Sequence, residues 1–401
     1  MAADLIALLT PAANRVYGQH TPALAAAELR RVLNLTHAGL LESIENTAAL
    51  GVPALRLRLR EDVTDADDGQ LRASILGAIA RSAHVMALFS EIGRMPAPGA
   101  ARDGDLLEDI PDLPVLLPVP APNADRLPSD LLTILKYPGK TNELFTALML
   151  NLALAASADR DLLTGSSDAP AAAGRAGRGA ASASRRFTVL DPVAGRGTTL
   201  NQAAMWGLDA IGVDVDKKDA ELYRGFLTAW LRDNRFKHTT TAQRLTLPSG
   251  FSGASFSARF ARSKQEQKDG LEQHITLHTA DTAQLGSFIP QRTVHAVVAD
   301  LPYGVQHGAR TKTTGAKAML HRSPLGLLDA ALPAWTRAMT AGASLVIAIN
   351  RHTAPWPDTA RALEAADLRV LTDDGEFRHR VDRSIDRDII VAVKSSRTDL
   401  S

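Results

Sequence analysis

The sequence predicts an α/β protein: a Rossmann-like, doubly wound sheet of seven strands, preceded by a small α+β unit. Three observations lead there. From about residue 130 onward, short apolar segments alternate with helical ones, the order that builds parallel βα units. One strand runs straight into a glycine-rich turn, Phe187-Thr188-Val189-Leu190-Asp191-Pro192-Val193-Ala194-Gly195-Arg196-Gly197-Thr198-Thr199. Another, Val294-His295-Ala296-Val297-Val298-Ala299, runs into Asp300-Leu301-Pro302-Tyr303-Gly304.

The 401 residues are enough for two domains. With 45% hydrophobic and 22% charged residues, the composition is that of an ordinary globular protein. Basic and acidic residues number 45 and 44, a net charge of +1, so any nucleic-acid-binding surface must be local. The lack of cysteine excludes disulfides, thiolate zinc sites and cysteine nucleophiles, and it fits a reducing compartment. No metal site is expected. Met1–Thr10 has no basic n-region, and no run approaches the roughly 18 apolar residues of a membrane span. A cytoplasmic protein without membrane contact is expected.

Residues 1 to about 125 read as the α+β unit. Leu5–Leu9 is a candidate strand, and Thr21-Pro22 reads as the capped start of a helix over Ala23–Leu33. Leu55–Arg60 alternates strictly, as a half-exposed strand does. Gln70–Ile92 carries apolar residues at helical spacing, and Val115–Val119 is a further strand after an acidic, proline-rich connection over Pro96–Pro114.

The second unit is expected over residues 130–396. A helix over Asn142–Ala156 precedes strands at Thr188–Leu190, Ala210–Val213, Ile275–Thr279, Ala296–Ala299, Ser344–Ile349, Arg369–Leu371 and Ile389–Val393, the last two as an antiparallel edge pair. Two insertions interrupt it. Residues 164–186 hold no apolar side chain larger than alanine, Pro170 apart, and are expected to be disordered; Arg175, Arg178, Arg185 and Arg186 could touch RNA or simply be solvated. Residues 236–273 read as irregular and are rich in Lys237, Arg244, Arg259, Arg262, Lys264 and Lys268.

The glycine-rich turn suits a nucleoside cofactor. Gly195 and Gly197 let the backbone approach a ligand, beside Ala194 and Thr198. Leu200 stands where a dinucleotide-binding turn would place a third glycine, which lowers the dehydrogenase reading. Asp191 can hold the ammonium of S-adenosylmethionine, and Asp214, ending the second strand, can accept both ribose hydroxyls. Asp216 and Asp281-Thr282 can orient the adenosine. Each of these acids alone could equally be a helix cap; three strand-end acids around one turn favour the ligand.

Asp300-Leu301-Pro302-Tyr303 suits a different task. The lone pair of an exocyclic base amine is delocalised into the ring, and two acceptors on its hydrogens free it for attack. Asp300 and the Leu301 carbonyl, set by Pro302, would be those acceptors, and Tyr303 would stack on the base. Such a base must be unpaired or flipped out of its helix. A plain turn after a strand is the alternative for an isolated Asp-X-Pro-Tyr. The following loop carries Arg310, Lys312, Lys317 and Arg322 with His307, His321 and no acid, either a solvated loop or a basic lid for RNA phosphates.

With these motifs the chain resembles the RNA methylase family that contains the archaeal and eukaryotic tRNA guanine-10 N2-methyltransferases. The resemblance covers roughly residues 130–395, through Asp191–Thr199, Gly212–Asp216, Ala299–Gly304 and Arg383-Ser384-Ile385-Asp386-Arg387-Asp388. It implies a seven-stranded class I methyltransferase sheet, S-adenosylmethionine as cofactor and an RNA substrate, tRNA first. It also implies that Tyr137–Glu143, with Lys140 and Thr141, closes over the methionine end of the cofactor. In the N-terminal unit the match is confined to Asn14–Gly18 and Leu24–Leu29, which look like the opening of a THUMP or ferredoxin-like RNA-binding half, short enough to leave room for a partner subunit.

The expected function is therefore S-adenosylmethionine-dependent N-methylation of RNA, as N2-methylguanosine in tRNA. The alternatives are an rRNA guanine-N2 methyltransferase, a DNA adenine-N6 or cytosine-N4 methyltransferase, a protein-glutamine methyltransferase, and an RNA-binding module with an inactive fold. No separate target-recognition domain follows residue 395, which weighs against DNA, and the basic loop weighs against a protein substrate.

Overall fold

A computed structural model describes residues 4–12, 14–49, 51–60, 69–95, 113–133, 140–158, 186–246, 252–303 and 323–395. These fall into two compact units, one ending at Asn123 and one starting at Ala124. The 164–186 insertion, Arg186 apart, and most of the 96–114 connection lie outside the described residues.

The first unit contains β1 (Asp4–Leu9), α1 (Arg15–Thr36), β2 (Leu41–Ala49), β3 (Val52–Leu59), α2 (Gly69–Ala80), β4 (Val85–Met95) and β5 (Leu113–Val119). All its strand pairs are antiparallel, in the order β2-β3-β1-β4-β5. The first four strands and two helices make a complete ferredoxin-like β-α-β-β-α-β arrangement, with β5 added at one edge. Helix α1 starts well before Thr21, because the Asn14 side chain accepts from Val16 N (2.9 Å) and Tyr17 N (3.2 Å). Thr21 turns its hydroxyl back to the Tyr17 carbonyl, as a threonine inside a helix does.

The helical reading of Gln70–Ile92 is also corrected: α2 stops at Ala80 and the chain enters β4. The cause lies on α1. Buried Glu28 accepts from Ser82 Oγ (2.6 Å) and Ala83 N (3.0 Å) and contacts His84 Nδ1 (3.0 Å), which pulls Ser82–His84 out of helical geometry.

The second unit contains α3 (Glu143–Ala156), β6 (Thr188–Asp191), α4 (Thr198–Met205), β7 (Asp209–Asp214), α5 (Lys217–Asp233), β8 (Lys237–Thr246), β9 (Ser252–Ala261), β10 (Gln273–Thr279), β11 (Val294–Asp300), α6 (Pro324–Ala338), β12 (Met339–Asn350), α7 (Trp356–Glu364), β13 (Leu368–Val370), β14 (His379–Arg380) and β15 (Asp386–Lys394). Single helical turns lie at Asp130–Thr133 and Lys264–Lys268, and a 3-10 turn at Thr282–Ser287. The sheet order is β13-β15-β12-β11-β6-β7-β10-β9-β8, with β14 on β15. Strands β6, β7, β10, β11 and β12 are parallel; β11 and most of β12 are buried along a near-continuous apolar run, whereas β10 alternates polar and apolar residues. β15 runs antiparallel to β12 and β13.

The seven expected strands form the path from β10 to β13, but the sheet is larger, ten strands in all. The irregular insertion expected over 236–273 is in fact a β-hairpin, β8–β9, in unbroken register from Lys237↔Ala261 to Thr246↔Ser252. Its inner face buries Phe256, Ala258 and Phe260, and Phe236 stacks on Trp230 of α5 at 5.2 Å between ring centroids. Thr239, Thr240 and Thr241 leave β8 with no apolar period, which hides it in the sequence.

The strand order reverses between β6 and β11. One half of the sheet runs through β7 and β10, the other through β12. In doubly wound sheets the crevice at the carboxyl ends of the strands opens at such a switch point.

Candidate active site at the switch point

Three neighbouring strands, β7, β6 and β11, end in Asp214, Asp191 and Asp300. The sheet thus lines up three carboxylates along one rim.

Backbone amides hold the first two. Asp214 Oδ2 accepts from Gly195 N (2.7 Å) and Oδ1 from Asp216 N (2.8 Å), which ties the glycine turn to the turn after β7. Burial pushes the Asp214 carboxyl above its ordinary range. Asp191 is 4% exposed, and its Oδ1 accepts from Val193 N at 3.1 Å. Burial pushes Asp191 up to about 7, against its hydrogen bonds to Thr199 and Val193, and the charges of Asp214 and Asp300 add to the rise.

The turn between them needs its glycines. Gly195 and Gly197 have φ of +50° and +77°. A Cβ at Gly197 would strike the buried Tyr223 ring, whereas at Gly195 it would meet nothing within 4 Å, so the turn is open on that side. The Ala194 N–H bonds the Val213 carbonyl at 3.0 Å, fixing the turn against β7. Leu200, where a third glycine was absent, fits because the glycine is on the strand instead: a Cβ at Gly212 would come within 2.8 Å of Leu200 Cδ1. Thr198 is buried at the start of α4.

Some expected cofactor contacts are committed elsewhere. Asp216 caps α5 through Lys218 N and Asp219 N, and Asp281 caps the 3-10 turn through Ala283 N. Thr282 Oγ1 accepts from Trp335 Nε1 (2.8 Å) inside the core, which turns it away from the rim. Lys140 donates to the Leu132 carbonyl and pairs with Glu143 at 2.6 Å.

Asp300 is held by side chains instead. Its Oδ2 accepts from Thr141 Oγ1 at 2.9 Å, its Oδ1 from the Tyr303 hydroxyl, and the Arg387 guanidinium stands 3.8 Å from Oδ2. Thr141 reaches it because Asn142 caps α3 through Leu144 N (2.8 Å) and Phe145 N (3.3 Å), which fixes the residue just before the helix. The Leu301 side chain is buried and its N–H bonds the Ala348 carbonyl at 3.1 Å; Pro302 is exposed. The Tyr303 carbonyl accepts from Thr353 Oγ1 (3.3 Å). Burial, and then the Asp300 charge, keep the Tyr303 phenol well above its ordinary range and therefore neutral. Tyr303 was expected to stack on a base; here its hydroxyl is engaged by Asp300.

Arg387 was not singled out as a site residue, although Arg383–Asp388 was noted as a run; only the antiparallel turn of β15 brings it to the rim. Arg310, Lys312, Lys317 and Arg322 lie outside the described residues.

Chemically, the rim offers three carboxylates, with the Arg387 guanidinium beside Asp300 and Arg196 of the glycine turn paired with Asp219, an arrangement that suits a ligand carrying positive charge. One carboxylate stands on the strand beside the glycine turn, where it can accept from a second molecule.

Residues 180–356 match the family model described as "RMKL-like, methyltransferase domain". This stretch is similar to that family. The β10-β7-β6-β11-β12-β15-β13 order of that unit agrees with the doubly wound sheet expected from the sequence. No curated protein is significantly similar to the chain in sequence. Among solved structures, the chain is similar to a candidate RNA methyltransferase from Pyrococcus horikoshii (13% identity, 69% of this chain and 93% of that one, TM-score 0.32). A TehB-like SAM-dependent methyltransferase from Corynebacterium glutamicum matches at 14% identity over 54% and 83% of the two chains, TM-score 0.28. The T. thermophilus 16S rRNA N2 G1207 methyltransferase matches at 13% identity over 52% and 35%, TM-score 0.27. Scores of this size carry no weight for substrate.

Proposed function

We propose that the chain is an S-adenosylmethionine-dependent RNA N-methyltransferase that forms N2-methylguanosine in tRNA, in the cytoplasm. One observation carries the reading: the Asp300 acceptor ends the strand directly beside the one that ends in Asp191 and the glycine turn. A base amine held at Asp300 would face a cofactor held at that turn.

The residues fit this cofactor. Asp191 would take the ammonium, Asp214 the ribose hydroxyls on the lone pairs left by its two amide bonds, and Gly195 would give access to the backbone. Bound S-adenosylmethionine supplies an electrophilic methyl group. Asp300 and the Leu301 carbonyl would orient the amine so that its lone pair points at that methyl, which is catalysis by positioning and electrostatics. The ferredoxin-like unit would hold the RNA, with Arg310, Lys312, Lys317 and Arg322 on its phosphates and a partner subunit as a further source of grip.

Methyl transfer from tritiated cofactor to tRNA, rRNA and DNA of a strain lacking the protein, followed by nucleoside mass spectrometry, tests this. N2-methylguanosine in the tRNA pool is expected. The same nucleoside in rRNA would keep the reaction and move the substrate; label in DNA alone would replace the reading.

A further inference from the structure

β15 brings a single cation into the catalytic corner. Arg387 is 6% exposed, and its guanidinium carbon lies 4.3 Å from the Phe145 ring centroid and 5.0 Å from that of Tyr303. The group stands 3.8 Å from Asp300 Oδ2, the carboxylate whose other oxygen accepts from the Tyr303 hydroxyl. On the same strand, Asp388 takes Arg351 at 2.7 Å, a closer pair than Arg387 makes with Asp300 at 3.8 Å. The Arg387 guanidinium lies against the Tyr303 ring, whose hydroxyl donates to Asp300. Desolvating a guanidinium between two rings is costly, and an apolar side chain would fill that space at less cost.

The three groups around it come from two separate parts of the chain. Phe145 is in the first turn of α3, four residues after Thr141; Asp300 ends β11, and Tyr303 follows it by three residues. A planar guanidinium can lie against two aromatic faces and still donate from its edge, which an ammonium cannot do. We propose that Arg387 is a positioning residue for methyl transfer: it clamps the Tyr303 ring and, through the Tyr303 hydroxyl, holds Asp300 in the rotamer that receives the substrate amine. The inference rests on the proposed methyltransferase function.

The test compares wild type with Arg387→Met, Arg387→Lys and Arg387→Ala. Arg387→Met should lower kcat by about 100-fold, the size of a small misplacement of a reacting group, and leave the Kd for S-adenosylmethionine within about twofold. Arg387→Lys should recover part of the loss, and guanidinium ion should partly restore Arg387→Ala. A kcat within about threefold of wild type in Arg387→Met would overturn the proposal.

A second readout does not depend on turnover. The chain has four tyrosines, so fluorotyrosine labelling gives a fluorine NMR spectrum in which Tyr303 is assigned by Tyr303→Phe. Its resonance should move or broaden in Arg387→Met and stay near wild type in Arg387→Lys; an unmoved resonance in Arg387→Met overturns the clamp. Should Arg387→Met fail to fold, the guanidinium titration of Arg387→Ala decides by the same resonance. A wild-type protein that binds the cofactor but methylates no RNA would sink the functional reading alone, since the resonance still reports on the clamp.

Discussion

The two halves of the rim hold their carboxylates in opposite ways. At β6 and β7, Asp191 and Asp214 are gripped mainly by backbone amides of Val193, Gly195 and Asp216, within two short turns, with the Thr199 side chain also on Asp191. At β11, Asp300 is gripped by side chains, Thr141 from before α3, Tyr303 from its own loop and Arg387 from β15. An amide grip is fixed by chain path and survives most side-chain changes. A side-chain grip depends on rotamers, and each member can be removed singly. The half proposed to seat the cofactor is thus built as a rigid seat and the half proposed for catalysis as an adjustable one.

Substitutions in the two halves should therefore fail differently. Asp300→Ala, the largest effect, should lower kcat by about 10³-fold while the cofactor Kd stays within about twofold; single-turnover transfer and calorimetry separate the two. Asp214→Ala should do the reverse, weakening the cofactor by about 10- to 100-fold at nearly unchanged saturated kcat, because it removes hydroxyl acceptors and loosens Gly195. If both variants lost the same parameter, the division between the halves would be wrong. Thr141→Val keeps shape and deletes one donor to a charged acceptor, so kcat should fall by about tenfold.

The smallest effect is a pH signature. The Asp191 carboxyl titrates at about 7 when folded and at the ordinary 3.8 when unfolded, so the native state binds more protons between those values. Its contribution to stability should fall as pH rises through that window, and Asp191→Asn should flatten the slope in urea unfolding followed across pH. A cationic ligand favours the ionised form, so cofactor binding should tighten as pH rises through about 7, with proton release in calorimetry. Binding independent of pH would separate Asp191 from the ammonium.

The same contrast explains what could be read from the sequence. Strand ends, the glycine turn and the Asp300 loop are local patterns, and the structure sets their acids side by side at the switch point. Ser82–His84 leave the helix because of Glu28 on α1, and Arg387 reaches Asp300 by the fold of β15; neither partner is near in sequence. Asp216 and Asp281 cap helical turns, so the capping alternative weighed for them describes what their side chains do here. The β8 strand is missed because threonine-rich edge strands carry no apolar period, whereas its partner β9 buries Phe256, Ala258 and Phe260 at every second residue.

The β8–β9 hairpin bears on how this sheet is assembled. Strands β8, β9 and β10 follow one another in the chain and pair antiparallel, a meander closed by short connections. The parallel neighbours of β6 must instead be gathered across long loops, and loop-closure entropy makes such pairings slow. The expected order of folding is the meander first, giving β7 a finished edge on which to dock, with the β6–β11 seam at the switch point closing last.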